Sequence, residues 1–133
     1  MVHNEVSTVE TTANLNHVRE EIRKTRLGQV FVVDEDERLK GSITFIELAD
    51  GLDLQEEKGV ALTALDIART KAVQLEENSN IEQALQAHGA SGEVYIPVID
   101  EEGILKGVLH EHDVALAYKK AMEQARAEER GDM

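Results

Sequence analysis

The chain repeats itself. At an offset of 66, Val9–Ala49 aligns with Leu75–Ala115 without a gap, and nine of the 41 pairs are identical. Ordinary residue usage would give roughly two or three. Six of the nine fall in ten positions: Val32/Val98, Asp34/Asp100, Glu35/Glu101, Leu39/Leu105, Lys40/Lys106 and Gly41/Gly107. Conservative pairs fill the gaps: Leu15/Ile81, Val30/Ile96, Val33/Ile99, Ile43/Leu109 and Glu47/Asp113. Two copies are too few for a solenoid. The pattern predicts a pseudo-twofold pair sharing one core.

Each copy has the same order of signals. A short strand is expected at Val6–Val9 and again at Ala72–Leu75. A helix follows in copy one, where Leu15, Val18 and Ile22 recur at helical spacing, and in copy two, where Ile81, Ala84 and Leu85 form the stripe and Gly89 ends it. VFVV and YIPVI are continuous β-rich runs, the pattern of strands covered on both faces. Acidic turns, DEDER and DEEG, lead into second strands, LKGSIT and ILKGVLH. A helix closes each copy. The fold class is therefore α/β (α+β), two β-α-β-β-α units packed as a pseudo-twofold pair. The halves are 1–58, the first motif with its linker, and 59–133, the second motif with a C-terminal helix from about Asp113 to Glu129. Polar residues Asp50–Lys58 read as a loop, and ALDIAR at 64–69 as a short helix. Copy one lacks that helix ahead of Val6, so the chain is expected to be cut from something longer.

Composition removes several function classes. There is no Cys, hence no disulfide framework, thiolate metal site or cysteine nucleophile. No apolar run is long enough to cross a membrane, and MVHNEVSTVE lacks the regions of a signal peptide. The net charge of −13 opposes nucleic-acid binding, and the 3% aromatic content supplies no base-stacking platform. Walker loops, Gly-X-Gly-X-X-Gly and a nucleophile elbow are all missing, so the chain is not expected to be an enzyme.

The strand–turn–strand–helix segments carry a family resemblance. YIPVIDEEGILKGVLHEHDV resembles the signature of the cystathionine-β-synthase (CBS) domain through Pro97, Val98, Ile99, Asp100, Gly103, Leu105 and Gly107, and FVVDEDERLKGSITFIEL resembles a second instance. Two in tandem resemble a Bateman module. The acidic linker before ALTALDIA and the terminal AYKKAMEQARAEE helix are similar to the cytoplasmic modules of chloride channels and chloride/proton exchangers. The resemblance implies a non-catalytic regulatory module on the cytosolic face of a membrane. It also implies a homodimer attached to a membrane transport domain. No cofactor is required, and the ligand is ATP, ADP or AMP, with or without magnesium, in the cleft between copies.

In that family a Thr-X-X-Asp segment holds the ribose and phosphates. Here it reads Thr44-Phe45-Ile46-Glu47 in copy one and His110-Glu111-His112-Asp113 in copy two. The resemblance points to Asp113 with Leu27 and Gly28 as the occupied cleft. His110, His112, Thr44 and Glu47 are further candidates. A helix start just after a strand offers free N–H groups to an anion. Other readings compete. Thr44 with Glu47 has the spacing of a capping box. His110 and His112 on a strand would point the same way and invite a metal, although no other ligand run accompanies them and no metal site is expected. The degenerate motifs leave an alternative function, a ligand-free dimerisation and assembly platform, and the parent has an alternative too, a CBS module of another protein.

Overall fold

The computed structural model describes residues 6–25, 27–70, 74–80, 82–83, 86 and 95–130. Copy one consists of β1 (Thr8–Glu10), α1 (Leu15–Lys24), β2 (Gln29–Val33), β3 (Leu39–Thr44) and α2 (Phe45–Lys58). A short α3 (Ala64–Ile67) follows. Copy two contributes β4 (Leu75–Glu76), β5 (Tyr95–Ile99), β6 (Leu105–His110) and α4 (Glu111–Arg130). Glu82, Gln83 and Gln86 are helical. The Ile81, Ala84, Leu85 and Gly89 expectations lie outside the described residues, as do Ala72 and Val73.

Each copy builds one three-stranded sheet, ordered β1-β2-β3 and β4-β5-β6. The first pair is parallel and the second antiparallel in both sheets, and both sheets shift register at the same repeat position, Val32/Val33 and Val98/Ile99. The repeated aspartates explain the repeated hairpins. Asp34 Oδ1 accepts from the N–H groups of Asp36 (2.9 Å) and Arg38 (3.0 Å). Asp100 Oδ1 accepts from Glu102 (2.9 Å) and Ile104 (3.0 Å). A carboxylate that satisfies two turn N–H groups sets the hairpin by itself. The repeated lysines lie beside these acids, Lys40 at 3.6 Å from Asp34 and Lys106 at 3.7 Å from Asp100.

The two copies meet tip to tip. Arg38 and Ile104 form an antiparallel bridge. The Leu39 N–H donates to the Gly103 carbonyl at 2.9 Å, and the Leu105 N–H donates to the Glu37 carbonyl at 3.2 Å. The repeat offset maps Glu37 onto Gly103 and Leu39 onto Leu105, so each bond is the image of the other. The pseudo-twofold axis therefore passes between Arg38 and Ile104, and β3 and β6 leave it in opposite directions.

One shared core was expected; among the described residues the buried side chains form two clusters. Val9, Leu15, Val18, Ile22, Val30, Val32, Ile43, Leu48 and Ala64 form one buried cluster. Leu75, Ile96, Val98, Leu109 and Val114 form another. In copy one the helices cover the sheet of their own copy. Leu15, Val18 and Ile22 bury the α1 stripe, worth about 1.5–3 kcal/mol each. β2 is buried along its whole length, as its continuous apolar run predicts. Successive side chains alternate faces, so Phe31 and Val33 lie opposite Val30 and Val32.

Three local expectations change. Residues 50–58 are not a loop, because α2 continues to Lys58. The Thr44 cap starts it, Leu48 and Leu52 bury one side, and Gln55 Oε1 accepts from the Leu62 N–H at 2.9 Å. Their spacing of four and three is helical, and the acidic residues between them face water. The first strand is shifted to Thr8–Glu10, where it pairs with Phe31–Val33. The short helix stops at Ile67, since Arg69 leaves it to pair with Ser42.

Candidate functional site

At the copy-one strand–helix junction, the sequence candidates serve the helix. The Thr44 side chain accepts from the Ile46 N–H at 3.3 Å. The Thr44 N–H donates to Glu47 Oε1 at 3.0 Å, and its hydroxyl lies 3.0 and 3.1 Å from the two carboxylate oxygens. This is a complete capping box. Leu27 and Gly28 sit beside it. The Leu27 N–H donates to Thr25 Oγ1 at 3.2 Å, and the Phe45 ring lies 3.4 Å from where a Cβ on Gly28 would stand. These contacts lie within copy one.

His110, His112 and Asp113 occupy the same place in copy two. His110 is the last residue of β6 and pairs with Tyr95. Its Nδ1 accepts from the His112 N–H at 3.0 Å. The imidazole thus does for α4 what the Thr44 hydroxyl does for α2. Its ring meets Tyr95 edge-on, with centroids 5.0 Å apart, and the His112 ring at 6.4 Å. His112 lies in the helix, not on the strand, so the His-X-His pair does not present two rings from one strand face. No group of three or more His, Cys, Asp or Glu among the described residues is arranged to hold a metal ion. Asp113 is half-buried in the first turn of α4.

A cleft lies between the copies, with a lining the sequence did not reveal. Leu39–Ser42 of β3, Arg69, Thr70 and Gln74 of the linker, and Pro97 of β5 line a cavity of about 30 Å³. The linker is pinned to the β3 edge by two hydrogen bonds, Ser42 N–H to the Arg69 carbonyl (3.2 Å) and Arg69 N–H to the Ser42 carbonyl (2.9 Å). The Ser42 side chain is 1% exposed and its hydroxyl has no protein partner. Gln29 Nε2, at the start of β2, is likewise buried without a partner. Buried polar atoms normally find a partner, so such exceptions mark places where a solvent or ligand atom belongs. One sequence signal could have found Ser42: its repeat mate is Val108, so a hydroxyl replaces an apolar side chain in a buried strand.

A second, wider hollow of about 460 Å³ is lined by Thr8, Glu10, Thr12, His17, Asp34, Glu35 and Glu37, among others. Its carboxylates repel phosphate. Among the described residues, no carboxylate lines the linker cleft. The perturbed acids also serve structure. Backbone N–H groups, that of Arg38 above all, hold the Asp34 carboxyl below its usual range, and Lys40 adds to this. For Asp100 the Ile104 N–H has the largest effect, with Lys106 alongside. Neither pattern is that of a general acid.

Two stapled hairpins, two sheets and an inter-copy cleft define a tandem α+β module. The CBS domain family profile matches residues 1–53 and 64–120. The chain belongs to the CBS domain family and carries two copies of the domain. CBS domain pairs are generally regulatory rather than catalytic. No curated protein matches in sequence comparison. Among solved structures, a CBS domain pair/ACT domain protein from Thermotoga maritima is 27% identical, over 90% of this chain and 93% of that one, with a TM-score of 0.74. The cytosolic domain of the Mg2+ channel MgtE, solved in complex with ATP, is 23% identical over 88% of this chain and 46% of that one, with a TM-score of 0.73. CBSX2, solved in complex with AMP, is 17% identical over 91% and 94%, also with a TM-score of 0.73. These likenesses do not single out a chloride transporter. No helix among the described residues is long and apolar enough to cross a membrane.

Proposed function

We propose that this chain is a non-catalytic regulatory module that takes an adenine nucleotide between its two CBS copies. The observation that carries the reading is the inter-copy cleft lined by β3, the linker and Pro97 of β5, with the unpartnered Ser42 hydroxyl buried in its β3 wall. The ATP complex of the MgtE domain and the AMP complex of CBSX2 support the ligand class. The family resemblance adds Asp113, beside His110 and His112, as the residue that would hold the ribose, together with Leu27 and Gly28; none of these five lines the 30 Å³ cavity itself. A cavity of about 30 Å³ has room for one or two waters, so a nucleotide must part its lining. That movement is what would be read as regulation, because a ligand shifts an equilibrium only by binding one state better.

The regulated partner in this reading is a membrane transport domain, with the module a homodimer on its cytosolic face. The Mg2+ channel supports a transport parent in general. The chloride-transporter version rests on the acidic linker and the terminal helix.

A ligand-free assembly platform is the second reading. It is favoured by Thr44 and Glu47, whose polar atoms serve the capping box. Calorimetric titration with ATP, ADP, AMP and adenosine, with and without magnesium, separates the two. Saturable binding that Asp113→Ala weakens at least tenfold supports the nucleotide sensor. Silence from all four on the folded protein supports the platform.

A further inference from the structure

We infer that His110 makes the start of α4 proton-sensitive, a device absent from copy one, where Thr44 holds the equivalent position. The inference concerns residues of the proposed nucleotide site but does not require a nucleotide to be bound. Both copies cap their closing helix from the last residue of the preceding strand, and in both the acceptor takes the N–H two residues on. The acceptors differ in chemistry. A hydroxyl oxygen keeps its lone pairs at any ordinary pH. Imidazole Nδ1 accepts only while the ring is neutral with its proton on Nε2. Protonation turns Nδ1 into a donor and sets it against the His112 N–H.

Tyr95 on β5 packs edge-on against the ring at 5.0 Å and holds it in the capping position. From α4 the titratable neighbours are Glu111, His112 and Asp113. The positive end of the helix disfavours an imidazolium over the N–H groups, while the Glu111 and Asp113 carboxylates attract it. A neutral ring therefore caps the helix, and a charged ring has no lone pair at Nδ1 to accept from the His112 N–H. Histidine is the side chain whose charge ordinarily changes between pH 5 and 8. The change acts on a turn that matters: Val114, buried in the copy-two cluster, anchors α4 one residue after Asp113. Acidification thus loosens the start of α4 in copy two while α2 in copy one stays capped.

The test is a pH titration of the full chain from 8 to 5 by two-dimensional NMR, with thermal unfolding in parallel. His112→Gln removes the neighbouring ring's own titration from the record. The amide of residue 112 is expected to shift with the midpoint of the His110 ring resonances. Between pH 7.5 and 5.5 the melting temperature should fall roughly 3–5 °C more in wild type than in His110→Thr, which restores the cap of copy one. A residue-112 amide that ignores the His110 titration overturns the inference, as do parallel melting curves for wild type and His110→Thr. If His110→Thr does not fold, the amide titration decides alone.

Discussion

Gly41→Ala tests how the linker is held. A Cβ at this position would stand 2.9 Å from the Arg69 carbonyl oxygen and 3.0 Å from Ala68 Cβ. Neither atom is the tip of a flexible side chain, so the linker itself must retreat from β3. The retreat breaks the two hydrogen bonds between Ser42 and Arg69. At a net 0.5–1.5 kcal/mol each, their loss costs about 1–3 kcal/mol. The overpacking cost of an added methyl in a tight site covers a similar range, about 1–3 kcal/mol. The two figures describe one event and are not summed, so the expected destabilisation is about 2 kcal/mol. Urea unfolding followed by circular dichroism reads this as a lower midpoint with an unchanged slope. Hydrogen exchange should show the Arg69 amide losing protection at the same time. Gly103→Ala is the control. Its Cβ meets nothing within 4 Å, but its φ of +85° disfavours any side chain, so it destabilises without exposing the Arg69 amide. A Gly41→Ala stability within about 0.5 kcal/mol of wild type, with Arg69 still protected, would refute the reasoning.

Three further outcomes are expected. Glu37 holds φ +64° at the turn position where its repeat mate Gly103 supplies a glycine, so Glu37→Gly should stabilise by about 0.5–1 kcal/mol in urea unfolding; a loss of stability would contradict the turn argument. Asp34 and Asp100 have carboxyl pKa values lowered by the fold. Their stabilisation is complete above the unfolded value near 3.9 and is lost as pH falls through the lower folded value. Asp34→Asn and Asp100→Asn keep an acceptor oxygen but lose the charge, so the drop in melting temperature from pH 7 to pH 3 should shrink in each; an unchanged drop in both counts against the linkage. Ser42→Ala removes a buried hydroxyl that has no protein partner, so its stability should match wild type within about 0.5 kcal/mol or exceed it. A larger loss would mean that Ser42 is hydrogen-bonded within the cleft.

Short-range chemistry is legible in the sequence alone. The Thr44/Glu47 capping box, the α1 stripe of Leu15, Val18 and Ile22, and the apolar runs of β2 and β5 each depend on residues a few positions apart. The repeated Asp, Lys and Gly positions were visible as a pattern, and the structure assigns them to turn formation, ion pairing and close backbone approach. Asp50–Lys58 reads as a loop because it is acidic, and charge alone does not separate a solvated helix face from a loop. Leu48, Leu52 and Gln55 settle the matter, but only against partners in copy one and the linker.

The sequence by itself determined that the chain has two equivalent α+β units, what each is made of and which family they resemble, since identical local instructions are written twice. Only the tertiary structure decided how the units meet. The axis at Arg38 and Ile104 is a backbone pairing, and backbone atoms carry no sequence signature. The Ser42–Arg69 ladder, the cleft it forms with Pro97 and the imidazole cap on α4 are long-range or geometric in the same way. They arise where segments distant in the chain come within hydrogen-bond reach, or where a ring's orientation decides which nitrogen faces an N–H.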